Sequence, residues 1–597
     1  MFSFTRQLLF AVLLAHFVIC DQTVISSVNL LTTFGTSDRL LDEKWAESVA
    51  FDKDSNRLFV ANGGAPRIDV FDLTNVFSPI ISSIDISIYG ASVSTVASYN
   101  GLIAASIVAE DTVSPGKVVF IRADGPTIIS SVTVGSLPDD IKISPKGNMV
   151  LTANEGEPNA DYTIDPEGTI SVIRLEVDGK KVKFTVENLE DSSATFDIET
   201  IGFSDFNSAS KRDSSTRFFG SLVPSNPTFA QDAEPEYISI SPDEKTAWVT
   251  LQENNAIAEI DLEKFKVESV TGLGFKNHSA SDNHIDANDE NGISIGAYPV
   301  WGNFQPDQIA YFIGSDDREY LLVANEGDDR KFEGTPGFLE MVKLSSVSLD
   351  TSIFDVSIQD TYGNLRISVL DSDNNNDGLV DKLRVSGGRS FSIYDINRKK
   401  FVYDSGDDLE QLFAAQSDAS ISFNADGAEN QSFDTTSVKR GSEPAGAATF
   451  IIDGITYGVV AFDKQSGFGI YNISRTPSKA PELVSYFNNR DFSVTFDSTN
   501  FKTFPHLDLN PSGLLFLGED AQDFYETEND LGYTPLLVVS NSGSGTISVY
   551  ELVTKNIDES SNSNSNNSNS NRSNSDSSSA SSLIFSVVCL LACFLLM

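Results

Sequence analysis

The sequence predicts an all-β fold, a β-propeller of seven or eight blades with long loop insertions, and three observations predict it. First, apolar β-rich runs recur in pairs joined by Asn, Glu and Gly turn residues. RLFVANGGAPRIDVFDL (57–73), MVLTANEGEPNADYTIDPEGTISVIRL (149–175), TAWVTLQENNAIAEIDL (246–262) and PLLVVSNSGSGTISVYEL (535–552) share this plan, and each reads as a hairpin. Second, short polar turns precede several of them, at FDKDS (51–55), ISPKG (143–147), ISPDE (240–244) and LNPSG (509–513). Third, outside the two ends of the chain no comparable 3.6-residue apolar period stands out. Antiparallel sheets repeated around a channel satisfy this pattern while protecting their edges; a pair of β-sandwiches is the alternative.

In chain order, residues 1–20 come first. Arg6 is followed by an apolar run from Leu8 to Ile19. The run is short for a bilayer span and reads as a secretory signal peptide cut after Cys20. Residues 21–555 are then the extracellular propeller-like domain. Weaker hairpins fill the gaps between the four strong ones: 101–123, YLLVANEGDDR with FLEMVKL (320–344), LRVSGGRSFSIYDI (383–396) and 455–473, which makes eight. The polar stretches 187–215 and 405–434 read as insertions. Residues 556–582 are a Ser/Asn-rich tract that cannot build a core. They lead into LIFSVVCLLACFLLM (583–597). Small residues, a polar spacer and a terminal apolar tail form the pattern of a glycolipid (GPI) anchor signal that is removed. Attachment is expected at Asn571, Ser573, Asn574 or Ser575; a conventional tail anchor is the rival. Cys20, Cys589 and Cys593 all fall in the two processed ends, so the mature chain is expected to hold no disulfide.

With 41 Lys and Arg against 85 Asp and Glu, the formal net charge is −44. Such a chain repels nucleic acid and anionic membrane surfaces and attracts cations and basic partners. At 40% hydrophobic residues it still buries a large core.

The stretch DSDNNNDGLVDKL (371–383) is the sharpest chemical signal. Calcium takes six to eight hard oxygen ligands in flexible geometry, and alternating Asp and Asn side chains supply them. Counted from Asp373, ligands fall at Asp373, Asn375, Asp377 and Asp381, with Gly378 at the sharp turn and Leu379 offering a backbone carbonyl. Arg384 stands where a helix-loop-helix site would place Glu, so Asp381 closes the loop, with Asp371 assisting. The alternative is a solvated polar turn. A second acidic loop at 277–295 alternates Asp286, Asn288 and Glu290 ahead of Gly292, and reads equally as a metal site or an exposed connection. Calcium is the one cofactor expected.

Catalytic signals are thin. After signal removal the histidines are His278, His284 and His506, without zinc spacing, and no GxSxG, P-loop or HExxH occurs. The turns carrying Glu155 and Glu157, Glu253, Glu326 and Asp328, and Glu519 and Asp520 would share one rim if the hairpins are blades. There they would form a carboxylate ring able to hold cations, or simply solvated turns. Asn277, Asn430, Asn472, Asn566 and Asn571 sit in N-x-S sequons of a glycosylated protein.

The chain resembles the choice-of-anchor I family, whose animal members include the mesenchyme-specific cell-surface glycoproteins of skeleton-forming cells. LTANEGEPNADYTIDPEGTISVI, LQENNAIAEIDL, GFKNHSASD, YLLVANEGDDR, DGLVDKLRVSGGRSFSIYD, SYFNNRDFS and PLLVVSNSGSGTISVYEL carry the resemblance, from about Trp45 to Leu552. It implies a propeller-like extracellular domain on an interchangeable C-terminal anchor, and an association with calcium and calcified matrix. The asparagines Asn374–Asn376 depart from the expected Gly/Asp alternation and lower the ligand charge. The expectation is therefore a non-catalytic, GPI-anchored, calcium-binding glycoprotein at the outer face of the plasma membrane. It would act in adhesion, matrix or mineral binding, with matrix or other surface proteins as partners. A calcium-dependent extracellular phosphohydrolase is the alternative.

Overall fold

The computed structural model describes residues 22–557, apart from 333, 336, 376, 418–421, 428–431, 505–506, 520–524 and 526–530. The expected signal peptide (residues 1–20), the Ser/Asn-rich tract beyond Ile557, the expected anchor signal and its candidate attachment residues Asn571, Ser573, Asn574 and Ser575, and the sequons at Asn430 and Asn566 lie outside the described residues. So do Asn376, His506 and Asp520. Residues 26–553 form one compact unit; the described remainder, 22–25 and 554–557, are the ends of two strands.

Seven antiparallel sheets follow one another along the chain. Blade 1 is Val49–Asp52, Arg57–Ala61, Arg67–Asp72 and Ile80–Asp85; blade 2 is Ser92–Tyr99, Leu102–Val108, Pro115–Arg122 and Thr127–Ser136. Blade 3 is Pro138–Ile143, Val150–Asn154, Thr169–Val177 and Thr195–Gly202, with the short Lys180–Val182 also on its third strand. Blade 4 is Pro235–Ile240, Thr246–Leu251, Ala256–Asp261 and Lys266–Gly272. Blade 5 is Ile309–Ile313, Glu319–Asn325, Ser390–Asp395 and Lys400–Asp404; blade 6 is Pro444–Ile452, Ile455–Phe462, Phe468–Asn472 and Glu482–Phe487. Blade 7 takes Pro511–Leu517, Leu536–Asn541 and Thr546–Ile557, and its fourth strand is Gln22–Phe34 from the other end of the chain. The first strand of each blade touches the first strand of the next, and that of blade 7 touches that of blade 1. A closed cycle of seven inner strands is a β-propeller.

Seven rather than eight has a local cause. Glu319–Asn325 does not pair with the apolar run that follows it; it pairs with Ser390–Asp395, across the insertion 326–389. Two of the eight expected hairpins are thus halves of one. The stretch 187–215, expected as an insertion, supplies Thr195–Gly202, the outer strand of blade 3. Its sequence TFDIETIG exposes much of its length and so reads as polar loop.

The middle strands explain why the repeats are legible. Each blade is covered on both faces by its neighbours, so its second strand is buried and mostly apolar, as in LIAASIV of blade 2, buried at every position. Successive side chains face opposite ways: Ile103 and Ala105 pack against Phe59 and Val70 of blade 1, while Leu102 and Ala104 pack with Val150 and Leu175 of blade 3. Blades 7 and 1 meet through Val538, Ile547, Leu58 and Phe71. Full burial of one such side chain stabilises by about 1.5–3 kcal/mol. The outermost strand of a blade pairs along one edge only, and Ile80–Asp85 is exposed at five of its six residues.

An antiparallel meander puts the second-to-third turns and the blade-to-blade connections on one face. Five long insertions lie there: 155–168, 203–234, 273–308, 326–389 and 405–443, the last carrying the helix Asp408–Gln416. No helix among the described residues is long and apolar enough to cross a membrane.

Candidate functional site

On that elaborated face the ring opens into a cavity of about 690 Å³ lined by residues of all seven blades. Twelve acidic side chains and two lysines, Lys44 and Lys464, line it. They arrive by two routes.

The first route is the turn that ends each second strand. In ANEG (153–156) and ANEG (324–327) the buried Asn ties the turn to the third strand. Asn154 donates to the Thr169 carbonyl at 3.1 Å, and Asn325 donates to Ser392 Oγ at 2.8 Å. The Gly takes a left-handed φ, +68° at Gly156 and +90° at Gly327, which L-residues resist. The Glu between them, Glu155 or Glu326, is delivered to the cavity. Asp463 occupies the same place in blade 6; in blade 4 that place is Gln252, and Glu253 follows it into the cavity lining.

The second route is the start of the first strand. Pairing with the second strand slips between Pro138 and Ile141, and between Pro235 and Ile238. Such bulges re-aim side chains, and Asp139 and Glu236 within them line the cavity, as does Asp307 at the entry to blade 5.

The charges are unevenly compensated. Around blades 5 and 6, Glu326, Glu443 and Asp463 bring oxygens within 4.8 Å of one another. There Arg440 reaches Glu443 at 3.1 Å and Asp328 at 2.6 Å, Lys464 reaches Asp463 at 2.6 Å, and Gln252 donates to Glu326 at 2.9 Å. Around blades 3 and 4, Arg330 is spent on Glu234 at 2.7 Å. Glu236 and Glu253, 9% and 6% exposed, each keep a buried carboxyl oxygen, Oε2, with no hydrogen-bond partner. Burial, reinforced by neighbouring carboxylates, pushes the Asp139 and Glu253 carboxyls up to about 7 and Glu326 up to about 8. Glu155, Glu236 and Asp307 are driven well above the usual carboxylate range for the same reasons.

The loop 373–381 lies in the blade 5 insertion. Asp373 accepts from the N–H of Asp377 at 3.2 Å and of Gly378 at 2.8 Å, and Gly378 sits at φ +86°. Asn375 accepts from Asp377 N–H at 3.0 Å, Asp377 from Leu379 N–H at 2.9 Å, and Asp381 takes the Asn374 amide at 2.6 Å. Asp371 is committed elsewhere: the buried Arg217 donates to it at 2.8 Å and Asn303 at 3.0 Å. In the second acidic loop Asp286 is fully buried and caps the N–H groups of Asn288 and Ser294. Asn288 and Glu290 line a separate cavity of about 180 Å³ with Asp289 and Asp360, so the three are not gathered together. Glu519 is exposed and outside the mouth. His278 is buried, with Nδ1 2.7 Å from the Asn283 carbonyl. Asn277 and Asn472 are half-buried, their side-chain carbonyls accepting from Ser279 and Ser474.

Sequence reasoning reached the turn carboxylates Glu155, Glu157, Glu253, Glu326 and Asp328, and missed Asp139, Glu236, Asp307, Glu443 and Asp463. A signal existed: LPDD (137–140), EPEY (234–237), QPDQ (305–308) and SEPA (442–445) repeat a Pro beside an acid at the entries to blades 3–6.

A family model described as "Choice-of-anchor I domain" matches residues 47–476. No curated protein matches the chain. Solved structures that are similar include the Myceliophteria_thermophila Cps50 (Swd1) beta-propeller domain, at 8% identity over 88% of this chain and 99% of that one, with a TM-score of 0.38. The WD40 domain from Toxoplasma gondii coronin has 9% identity, 89% and 87% coverage and a TM-score of 0.41. Kuenenia stuttgartiensis Hydrazine Synthase has 11% identity, 86% and 98% coverage and a TM-score of 0.40. The propeller assignment rests on the sheet order and ring closure described above.

Proposed function

The chain belongs to the choice-of-anchor I domain family, which points to a surface or secreted protein, and from that premise we infer that it is a calcium-binding propeller displayed at the cell surface. It acts by binding rather than catalysis, in adhesion, matrix or mineral handling. The finer likeness to mesenchyme-specific cell-surface glycoproteins rests on the segments quoted above. Display is through a GPI anchor, with sugars on Asn277 and Asn472.

One observation carries the calcium reading: the clasp of Asp373 across the N–H groups of Asp377 and Gly378. A calcium loop has to wrap its own backbone so that alternate side chains converge on one ion. Asp373, Asn375, Asp377 and Asp381 stand at the spacing this needs, around a glycine already in the left-handed turn. The ion would bind the folded form alone, and so stabilise it by mass action.

Thermal unfolding of the secreted protein in calcium and in chelator tests the reading. The expected result is a rise of several degrees in calcium that shrinks in Asp373→Ala/Asp377→Ala. An equal rise in both proteins would remove the loop from the account. The acidic mouth favours a second reading, a calcium-dependent phosphohydrolase. Saturable turnover of a generic phosphoester by the same samples, lost in Glu155→Gln, would replace the binding reading with that one.

A further inference from the structure

We propose that the outer edge of blade 1 is a dimer interface: Ile80–Asp85 pairs antiparallel, about a two-fold axis, with the same strand of a second copy of this chain.

One motif runs along the outer strands of three consecutive blades: VISSVNL (24–30) in blade 7, IISSIDI (80–86) in blade 1 and IISSVTV (128–134) in blade 2. Charge is nearly absent from this sector. Residues 73–109 hold one charged side chain, Asp85, in a chain that is 21% charged. The outermost strands of blades 3 to 6 all carry charge, as in KVESVTG and KFVYD, which is the usual protection of a free sheet edge. Blade 1 lacks it and presents its isoleucines most fully. Ile80 is 72% and Ile81 45% exposed, with Ile88 at 84% just beyond, whereas Val28 is buried and Ile128 and Ile129 are half-buried. No N-x-S or N-x-T sequon falls between residues 22 and 136, so no N-linked sugar would shield the edge.

The register fixes how a partner strand meets this edge. Ile86 N–H donates inward to the Pro66 carbonyl at 3.0 Å, and inward- and outward-bonding residues alternate along an antiparallel strand. Ile80, Ser82 and Ile84 therefore bond to Arg67–Asp72, while Ile81, Ser83 and Asp85 turn their N–H and C=O groups to the open edge. Among the described residues no strand lies beyond them. A two-fold axis through Ser83 sets Ser83 opposite itself and Ile81 opposite Asp85, so every outward group meets its counterpart. On the other face it sets Ile80 opposite Ile86 and Ser82 opposite Ile84, and such apolar cross-strand pairs are stabilising. Asp85 faces Ile81 and not a second Asp85, so a chain of net charge −44 meets its copy here without opposing like charges. The strand is complementary to itself, which is what makes a second copy its occupant. An isologous contact of this kind closes at two.

Sedimentation velocity of the secreted chain at rising concentration tests the interface, and calcium does not enter into it. The expected result is a monomer–dimer equilibrium with the dimer well populated by about 0.1 mM, where even a weak interface associates. Association should be at least about tenfold weaker in Ser83→Pro. Proline is tolerated where the N–H faces away from the sheet, so this variant should melt with the wild type. A wild type that stays monomeric at about 0.1 mM, a dimer untouched by Ser83→Pro, or open-ended polymers in place of a dimer overturns the proposal. Should Ser83→Pro fail to fold, cysteines decide. None lies between residues 21 and 588. The axis puts the two Ser83 Cα atoms about 5.5 Å apart, within the span of a disulfide. The two Ser82 Cα atoms, offset along the strands, fall outside that span. Ser83→Cys should therefore give a cross-linked dimer under mild oxidation and Ser82→Cys should not. Equal cross-linking of the two, or none in either, overturns the interface.

Discussion

His278 shows what burial does to one side chain. It has no exposure, and its Nδ1 lies 2.7 Å from the Asn283 carbonyl oxygen, so Nδ1 carries the proton and donates it. Nε2 has no partner and faces Gly302, where an added Cβ would lie 2.7 Å away. Burial, helped by Lys276, pushes the imidazole down to about 3. The unfolded chain takes up its proton near 6.5 and the folded chain near 3, so the unfolded state binds more protons in between. The contribution of this residue is therefore intact above pH 6.5 and is lost as the pH falls toward 3. His278→Asn, which keeps a donor toward Asn283, should lose less stability between neutral pH and about pH 5 than the wild type. Urea melts at the two pH values measure this; parallel losses would mean that the imidazole does not titrate on unfolding.

The first strand of each blade is the element that makes the ring. Side chains on these strands stitch one blade to the next. Ser98 donates to the Phe51 carbonyl at 2.7 Å, Thr95 to Asp139 at 2.8 Å, Thr449 to Tyr311 at 2.8 Å and Ser512 to Glu47 at 2.7 Å. Between blades 3 and 4 the fully buried Asp140 accepts from Ile238 N–H at 2.9 Å, just past the bulge in that strand. Asp140→Ala would leave the amide buried and unsatisfied and should cost about 1–3 kcal/mol. A denaturant midpoint that does not move would show that another acceptor replaces the carboxylate.

These strands were also the least legible from sequence. LIAASIV advertises a strand buried on both faces, whereas PDDIKI and PEYISI mix charge and apolar residues without a clean period. The bulge that breaks their alternation is the same device that turns Asp139 and Glu236 into the mouth. The candidate site divides likewise. Glu155, Glu253 and Glu326 could be read because each stands in a repeated turn. Their partners come from another strand of the ring, and each alone is an ordinary surface charge until the ring closes.

For the whole molecule the governing quantity is the charge of −44. Self-repulsion of this size destabilises the compact state, and dissolved salt relieves it at the surface. Raising salt from about 0.15 M to about 1 M shortens the screening length from about 8 Å to about 3 Å, yet buried charges are screened much less. In chelator, then, salt should raise the melting temperature without reproducing the calcium effect. Salt that replaces calcium completely in the wild type would reduce the ion's role to general screening.

The ring's seam lies in blade 7, where Gln22–Phe34 lies beside Thr546–Ile557, with Thr33 Oγ1 2.8 Å from Ser548 Oγ. Loop closure over so long a chain adds little entropy beyond a shorter one, because its cost grows only with the logarithm of length. Timing is another matter, since contacts this distant in sequence form slowly. During translation Gln22–Phe34 emerges before every other described strand and finds its neighbour only when the last one is made. Until then each nascent chain is an open arc with two bare flanks, which a chaperone would have to guard and a second copy of the chain could invade.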